Sequence, residues 1–396
     1  MQIVPVTDKR TANQFLDVAR EVYKNDQIWV CPPDDQIRAV FDPAQNVFFK
    51  HGEAARWILL REGRLIGRVA AFINREKAFM GEIHVGGMGF FECIEDREAA
   101  FMLMEQCTTW LAERGMEAMD GPINFGENDN FWGLLVEGFT HPAYGMPYNP
   151  TYYRQFFEAY GFEIYFEQKT KHLDFRNSFP DRFWKIADWV RQKPGFKYLH
   201  LDKAQISRFL DDFKKVYDQA WKFHDGFTPI NKEDLMRTFS KSKAIIDEEL
   251  IWFAYHENEP IGLCVIFPDI NEMIKSFKGK MGLFNKLRLL YRLKTHQYSR
   301  ARMVIMGVVP KYQKYGIESA IFWHMNDALN RRPWIHEVEL SWVGDFNPKM
   351  QALHESVGAV DAKKHFTYRK IFSGKAKVER IHNIPTTSRE FERENS

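Results

Sequence analysis

A single glycine stands between an apolar run and an apparent helix in the stretch MGVVPKYQKYGIESAIF, which runs from Met306 to Phe322. Gly316 directly follows Gln313, Lys314 and Tyr315. The first N–H groups of a helix have no partner inside the helix, and the helix dipole favours negative charge there. The spacing therefore indicates an anion site. A tight connection that simply needs a glycine is the other interpretation.

The composition is that of an ordinary globular protein with many aromatic rings. The 396 residues are 45% hydrophobic and 15% aromatic, with a net charge of +2, so no bulk charge favours nucleic acid. The start of the chain has no basic segment followed by an apolar one, and nowhere do 18 apolar residues run together. We therefore expect a cytoplasmic protein. The four cysteines lie far apart and predict neither a disulfide framework nor a metal site: Cys31, Cys93, Cys107 and Cys264.

The chain repeats itself. TDKRTANQFLDVAREVY near the start returns as LDKAQISRFLDDFKKVY, so that Phe15 corresponds to Phe209. WILLREGRLIGRVAAF returns as WFAYHENEPIGLCVIF, MGFF as MGVV, and YNPTYYRQFFEAYGF as FNPKMQALHESVGA, in the same order. Four matched segments in one order predict a duplicated domain. A jump in the spacing predicts an insertion in the second copy at about 269–302.

Each copy has a mixed pattern of strands and helices. The order is strand, one or two helices, a hairpin, strand, helix, strand, helix and strand, with turns at REGRL and HENEP. This order predicts an α/β (α+β) fold with a mixed central sheet flanked by helices in each copy. We expect domains at 1–175 and 176–372, and a polar, mobile tail at 373–396.

The glycine stretch resembles the acyl-CoA loop of the GNAT superfamily of acyltransferases, [Q/R]-x-x-G-x-[G/A] after a strand. Gln313 and Gly316 match two of the three marked places, and Glu318 departs from the small residue usual at the third. The resemblance implies that amides of Gln313 to Glu318, including those of Lys314, Tyr315 and Ile317, bind the pyrophosphate. It also implies that the backbone of Val308 and Val309 binds the pantetheine arm and polarises the thioester.

The segment that follows extends the resemblance. VELSWVGDFNPKMQALHESVGA is similar to a further GNAT pattern, with Asn347 and Gly358 at its Asn and Gly places. His354 stands where many members have a tyrosine that protonates the departing thiolate. The resemblance implies that His354 is such an acid, and a histidine without a catalytic role is the alternative.

The first copy lacks the loop. MGFF is followed by ECIEDREAAF, with no glycine at the turn and with Glu92, Glu95 and Asp96 placed to repel a pyrophosphate. Phe157 stands in the place of His354. The chain therefore resembles the bacterial tandem GNAT proteins, with a degenerate N-terminal copy and a CoA-binding C-terminal copy.

Several residues are candidates for the acceptor site that the resemblance implies. AWKFHDGFTPINKEDL occupies the place of one wall of that site, where a pocket would be lined by Trp221, His224, Asp225 and Phe227. His224 would also accept the proton of an amine. An aromatic loop that closes the core is the alternative. Asp345 and Glu339 are other candidate bases. A long loop in the first copy offers further candidates for a ligand site: Asn124, Asn128, Asn130 and Trp132.

The insertion is strongly basic. Residues 275–302 contain nine Lys or Arg and no acidic residue, and Leu287, Leu290 and Leu293 recur at helical spacing. A basic amphipathic helix can lie on an anionic membrane or cover an acidic ligand. A helix packed on its own domain, with a solvated basic face, is the alternative.

The resemblance implies an N-acyltransferase, most simply an N-acetyltransferase. It would transfer the acyl group of acetyl-CoA or a longer acyl-CoA directly to a small-molecule or peptide amine, without a metal and without a nucleic-acid partner. Two alternatives stay open: a non-catalytic acyl-CoA binder or sensor, and a tRNA-dependent aminoacyltransferase. The near-neutral charge disfavours the latter, because tRNA binding demands a broad basic surface. The sequence does not predict the oligomeric state.

Overall fold

The computed structural model describes residues 1–126, 132–177, 180–222, 229–373 and 377–381. Within them the chain forms two compact units, which we describe separately. Unit 1 comprises Met1–Lys169, Ile274–Arg288 and Lys363–Ile381. Unit 2 comprises Thr170–Met273 and Leu289–Ala362. The domain boundaries expected from the repeat stay a prediction.

The elements of the first copy follow the predicted order, with two additional short elements. They are β1 (Gln2–Pro5), α1 (Lys9–Val22), α2 (Asp34–Val40), β2 (Gly52–Arg61), β3 (Arg64–Asn74), α3 (Arg75–Ala78), β4 (Val85–Cys93), α4 (Arg97–Ala112), β5 (Ala118–Gly121), β6 (Leu134–Glu137), α5 (Tyr153–Tyr160) and β7 (Glu163–Asp174). The additional elements are α3 and β6. The predicted hairpin at REGRL is the turn between β2 and β3.

The second copy repeats this order with additional helices. It comprises α6 (Asp181–Arg191), β8 (Phe196–His200), α7 (Ile206–Ala220), α8 (Lys232–Ser242), β9 (Ile251–His256), β10 (Glu259–Pro268), α9 (Asn271–Ile274), α10 (Leu283–Lys294), β11 (Arg300–Val308), α11 (Ile317–Asn330), β12 (Glu337–Glu339), β13 (Val343–Gly344), α12 (Pro348–Ser356) and β14 (Val360–Ile371). HENEP is the turn between β9 and β10. The predicted α/β fold, with a mixed sheet and flanking helices, is confirmed.

In unit 1 the strand order is β1-β2-β3-β4-β5-β14. Only the β4–β5 pair in this run is parallel. Alternation along β2 sends Ile58 into the cluster that contains Phe15 of α1, and Leu59 into the cluster that contains Leu103 of α4. The core of unit 1 therefore lies on both faces of its sheet. The side chain of Asp8 caps α1 by accepting from the Thr11 N–H at 2.7 Å.

In unit 2 the strand order is β7-β12-β11-β10-β9-β8, and β11–β12 is the parallel pair. Helix α7 contacts β10 and β11, while α11 contacts β9, β10 and α6. Phe209 of α7 packs on Phe253 of β9, with ring centroids 5.1 Å apart. The predicted loop joins the end of β11 to the start of α11.

Helices α9 and α10 lie between β10 and β11, inside the interval 269–302. Residues Ile274–Arg288 of this segment belong to unit 1. There the Asp34 N–H donates to the Gly279 carbonyl at 2.9 Å, and the Arg20 guanidinium donates to the Lys278 carbonyl. The segment is thus held by residues that lie about 250 positions earlier in the sequence.

Candidate functional site

Gly316 begins α11 in the left-handed conformation, with φ at +75°. Its carbonyl accepts the first helical hydrogen bond, from the Ala320 N–H at 3.2 Å. A Cβ atom at this position would lie 3.0 Å from Cγ2 of Val190 in α6. The turn therefore needs a glycine both for its backbone angle and for its packing. The N–H groups of the first turn of α11 follow directly after this glycine.

Strands β11 and β12 pair only at the start of β11. They pair over three residues, Arg300–Arg302 with Glu337–Glu339. The register of β11 against β10 then shifts around Val304, since Ile305 faces Val265 and Met303 faces Ile266. Among the described strands, none pairs with the rest of β11 on the β12 side. The second half of β11 thus presents an open edge.

The N–H groups along β11 point alternately toward β10 and away from it, and this alternation determines whether the Val308 or the Val309 N–H faces the open edge. The Val309 N–H donates to the Ile261 carbonyl at 2.9 Å, so it is engaged with the neighbouring chain. In an antiparallel pair the adjacent residue directs its N–H and C=O to the other side. The Val308 N–H therefore points to the open edge. The Gln313 side chain donates to the Val308 carbonyl at 3.2 Å and joins the loop to the strand end.

The surface of the loop is basic. Lys311 and Lys314 are exposed, and Tyr315 is 44% exposed. Lys193, which follows α6, places its Nζ 3.6 Å from the ring centroid of Trp189 and 5.7 Å from that of Tyr315. The sequence offered no local sign that the region of α6 would lie here. Positive side chains and a helix N-terminus together favour an anion.

Glu318 opposes this electrostatic pattern. Burial raises the pKa of its carboxyl to about 7, and its own backbone N–H bonds the carboxylate. The hydroxyl of Tyr198 lies near enough for the Glu318 charge to raise the pKa of that phenol further, after burial. At neutral pH the first turn of α11 therefore contains a carboxyl that is only partly ionised.

His354 lies inside the protein. Its side chain is 1% exposed, and burial, assisted by the Lys171 ammonium, lowers the pKa of the ring to about 4. Nε2 has no hydrogen-bond partner among the described residues. The ring is therefore neutral at pH 7, and a neutral imidazole is a poor proton donor. Its assignment as the acid stays a prediction.

The other polar candidates of this region are held in different ways. The Asn347 side chain caps α12 by accepting from the Met350 N–H at 3.2 Å. Asp345 is half-buried in the turn between β13 and α12. Glu339 is 1% exposed and accepts from Thr170 at 2.9 Å and from Arg300 at 3.0 Å. These partners engage both Glu339 oxygens, so its capacity to act as a base is reduced.

Trp221 lies against the strand end. A Cβ atom at Gly307 would be 2.3 Å from its indole ring. The ring also stacks on Tyr217, with centroids 5.0 Å apart. Trp221 thus packs on Gly307, the residue directly before Val308 in β11. The sequence contained a sign of this approach, because a glycine inside a strand often marks close contact with another group. His224, Asp225 and Phe227 lie outside the described residues.

In the first copy, side chains of the protein itself occupy the corresponding strand end. The Cys93 N–H donates to the Tyr153 hydroxyl at 2.7 Å, and that hydroxyl donates to Glu92 at 2.9 Å. The Tyr152 hydroxyl donates to the Cys93 carbonyl at 2.9 Å. The backbone N–H and carbonyl of Cys93 are therefore both bonded to tyrosine side chains of the protein. This supports the prediction that the first copy is degenerate.

Of the first-copy loop candidates, two lie within the described residues. Trp132 is fully buried against His365, with ring centroids 4.7 Å apart, and both belong to unit 1. Asn124 is also described, and its Oδ1 is buried. Asn128 and Asn130 lie outside the described residues.

The described part of the chain contains neither a cluster of metal-binding side chains nor a helix that could cross a membrane. Its His, Cys, Asp and Glu side chains form no group of three or more that could hold a metal ion. None of its helices is both long enough and apolar enough to cross a membrane.

Comparison with solved structures decides the fold. The chain matches a tandem GNAT protein from the clavulanic acid biosynthesis pathway with a TM-score of 0.56 at 12% identity, over 93% of this chain and 98% of that one. It matches a GCN5-related N-acetyltransferase from Sphaerobacter thermophilus with a TM-score of 0.53 at 11% identity, over 98% of both chains. The chain has the GNAT fold. The predicted resemblance is therefore confirmed for the fold.

Sequence comparison adds a more similar relative. This GNAT-fold chain is 28% identical over 376 residues to a bacterial ceramide synthase from Caulobacter vibrioides, covering 93% of this chain and 97% of the relative. No family model matches the chain.

Proposed function

We propose that the protein is an acyl-CoA-dependent N-acyltransferase whose C-terminal copy binds the CoA thioester. The observation that carries the proposal is the edge of β11 beyond Arg302, which no described strand covers and which leads through the loop to Gly316 and helix α11. An open strand edge followed by free helix amides suits an extended pantetheine arm ending in a pyrophosphate. The GNAT fold supports the same class.

The open edge of β11 would position and polarise the thioester. The Val308 N–H would donate to the thioester carbonyl, on which negative charge develops when the amine attacks. The C–N bond forms, the C–S bond breaks, and CoA leaves as a thiol after the amine has released a proton to solvent or a base. Most of the acceleration would come from holding the two reactants together.

The loop would bind the phosphates. Lys311 and Lys314 would pair with them at the surface, and the first amides of α11 would bind the pyrophosphate. The partly ionised Glu318 would weaken this binding as the pH rises through about 7. A cytoplasmic location is part of the proposal.

The similarity of this chain to a relative named as a bacterial ceramide synthase supports a proposal of long-chain substrates. A ceramide is the amide of a fatty acid with a long-chain amino alcohol. We therefore propose a long-chain amine as the acceptor and prefer a long acyl-CoA to acetyl-CoA. Trp221 and the aromatic side chains stacked beside it would provide an apolar wall for such an acceptor.

The first experiment is calorimetric titration of the full chain with CoA, acetyl-CoA and a long-chain acyl-CoA. Lys311→Glu/Lys314→Glu should lower CoA affinity by about tenfold or more, because each exposed charge contributes on the order of 0.5–1 kcal/mol. Lys9→Glu/Lys243→Glu reverses two other exposed lysines and is the matched control. The two loop lysines are preferred to Gly316 as sites of substitution. A larger side chain at Gly316 would also disturb the packing of Val190.

The second experiment follows thiol release from acyl-CoA in the presence of a long-chain amino alcohol, with product identified by mass. Amide product that requires the protein supports the proposal. An absence of CoA binding by the wild-type chain would refute it, as would equal loss in the loop pair and in the control pair.

A non-catalytic acyl-CoA binder is the second candidate. The neutral ring of His354 favours it, because a neutral imidazole is a poor proton donor for the departing thiolate. Tight binding of acyl-CoA without turnover, across a panel of amines, would support this candidate over the transferase.

A further inference from the structure

Helix α10 exposes apolar side chains to solvent. Leu283 and Phe284 are each 77% exposed, Tyr291 is 62% exposed, Leu287 is 56% exposed and Leu290 is 38% exposed. We call these five residues the α10 stripe. Scattered exposed apolar residues are normal on a protein surface, whereas a contiguous group marks an interaction site.

The stripe occupies one side of the helix. At 3.6 residues per turn its five members fall within an arc of about 120°. Leu289 points to the opposite side and is 8% exposed, so the helix packs on the protein with the other face. Helix α10 therefore has apolar side chains on two faces: Leu289 is buried against the protein, and the stripe is exposed to solvent.

Cations flank the stripe. Lys286 and Arg288 lie on its two sides, and Lys294 lies within its arc near the C-terminal end; all three are exposed. None of them forms an ion pair with a carboxylate of the described residues. The surface around the stripe is thus complementary to an anionic partner.

The chain on both sides of α10 is anchored. Before the helix, Lys280 pairs with Asp34 at 3.0 Å, and Asp34 also pairs with Arg20. At its end, the Arg292 guanidinium donates to the Met273 carbonyl. These bonds hold the helix in place, so the stripe is presented by ordered structure.

We propose that α10 docks the protein on the surface of an anionic lipid bilayer. The stripe would enter the boundary between headgroups and acyl chains, and Lys286, Arg288 and Lys294 would contact lipid phosphates. A second copy of the chain fits less well, because two stripes in contact would bring the flanking cations of both copies together. The proposal does not depend on the acyl-transfer activity.

Vesicle sedimentation of the full chain tests the docking. The protein should sediment with vesicles that contain phosphatidylglycerol, and less with vesicles of phosphatidylcholine alone. Phe284→Gln/Leu287→Gln should abolish most of the binding without unfolding the protein, since both side chains are largely exposed. The matched control is Met80→Gln/Trp189→Gln, which removes two apolar side chains that are 66% and 64% exposed elsewhere.

A fluorescence measurement reports the depth of the contact. The native cysteines are all buried, so an environment-sensitive label on Leu287→Cys is selective. Its emission should increase and shift to the blue on anionic vesicles, and a label on Met80→Cys should not change.

Three results would overturn the proposal. The first is no sedimentation of the wild-type chain with either vesicle, and the second is equal loss in the stripe and control variants. The third is a wild-type oligomer that Phe284→Gln/Leu287→Gln converts to a monomer, which would assign the stripe to a second copy.

Discussion

The indole of Trp221 lies directly over the backbone of Gly307, where a Cβ atom would be 2.3 Å from the ring. This approach places an aromatic wall beside the Val308 N–H, which faces the open edge of β11. A substitution at Gly307 therefore tests whether Trp221, the proposed acceptor wall, contacts the end of β11.

We predict that Gly307→Ala destabilises the protein by about 1–3 kcal/mol, because the methyl group displaces the Trp221 ring. The cost should largely disappear in the Trp221→Ala background, as in a double-mutant cycle of two residues in contact. Urea unfolding measures both values. Gly282→Ala is the control, since a Cβ atom there meets nothing within 4 Å. Equal costs with and without Trp221 would contradict the contact.

Glu318 should make stability fall as the pH rises. Its folded pKa of about 7 lies above the value of 4.5 of an unperturbed glutamate. Between these values the folded state holds a proton that the unfolded state has released, so the free energy of unfolding decreases from pH 4.5 to 7. We predict that Glu318→Gln gains on the order of 1–3 kcal/mol relative to the wild type at pH 8 and flattens this profile. Chemical unfolding across that range would measure it.

The same substitution should affect ligand binding in the proposed phosphate site. Glu318→Gln removes a negative charge from the first turn of α11, so CoA should bind more tightly at pH 8, by about tenfold. At pH 5.5 the two proteins should bind CoA nearly equally. Glu355→Gln, an exposed glutamate on α12, is the control. A wild-type affinity that does not vary with pH would argue against phosphates at this helix end.

His354 should destabilise the protein in acid. Burial lowers the pKa of the ring to about 4 from the ordinary value of 6.5. Between these values the unfolded state binds a proton that the folded state excludes, so the free energy of unfolding decreases as the pH falls from 6.5 to 4. We predict that His354→Gln reduces the change in the free energy of unfolding between pH 6.5 and 4 by on the order of 2–3 kcal/mol. His336 is exposed, and His336→Gln is the control that should leave this change as it is. Turnover of His354→Gln at pH 7 tests the separate prediction that His354 is an acid.

Asn347 should contribute to stability through its cap on α12. We predict that Asn347→Ala lowers the free energy of unfolding by about 1 kcal/mol, the usual cost of removing such a cap. Asn231→Ala, which removes the cap of α8, is the matched control. If CoA affinity also falls in Asn347→Ala, and does not fall in Asn231→Ala, then Asn347 contacts the ligand as well.

The repeat, the order of strands and helices, the two hairpins and the glycine turn could all be predicted from the sequence. These features depend on residues close together in the chain: a periodicity of apolar residues, a turn composition, or a glycine that alone tolerates φ of +75°. The resemblance of the Gln313–Gly316 stretch to an acyl-CoA loop has the same local origin.

Only the tertiary structure decided the chemical state of the candidates, because burial and partners come from distant parts of the chain. Glu339 is engaged by Thr170, which lies 169 residues earlier. His354 is neutral because burial lowers the pKa of its ring. The N–H at the open edge belongs to Val308, because the Val309 N–H donates to the Ile261 carbonyl. Likewise, the basic periodicity of α10 was visible in the sequence, but which of its faces meets solvent depended on where the rest of the chain packs.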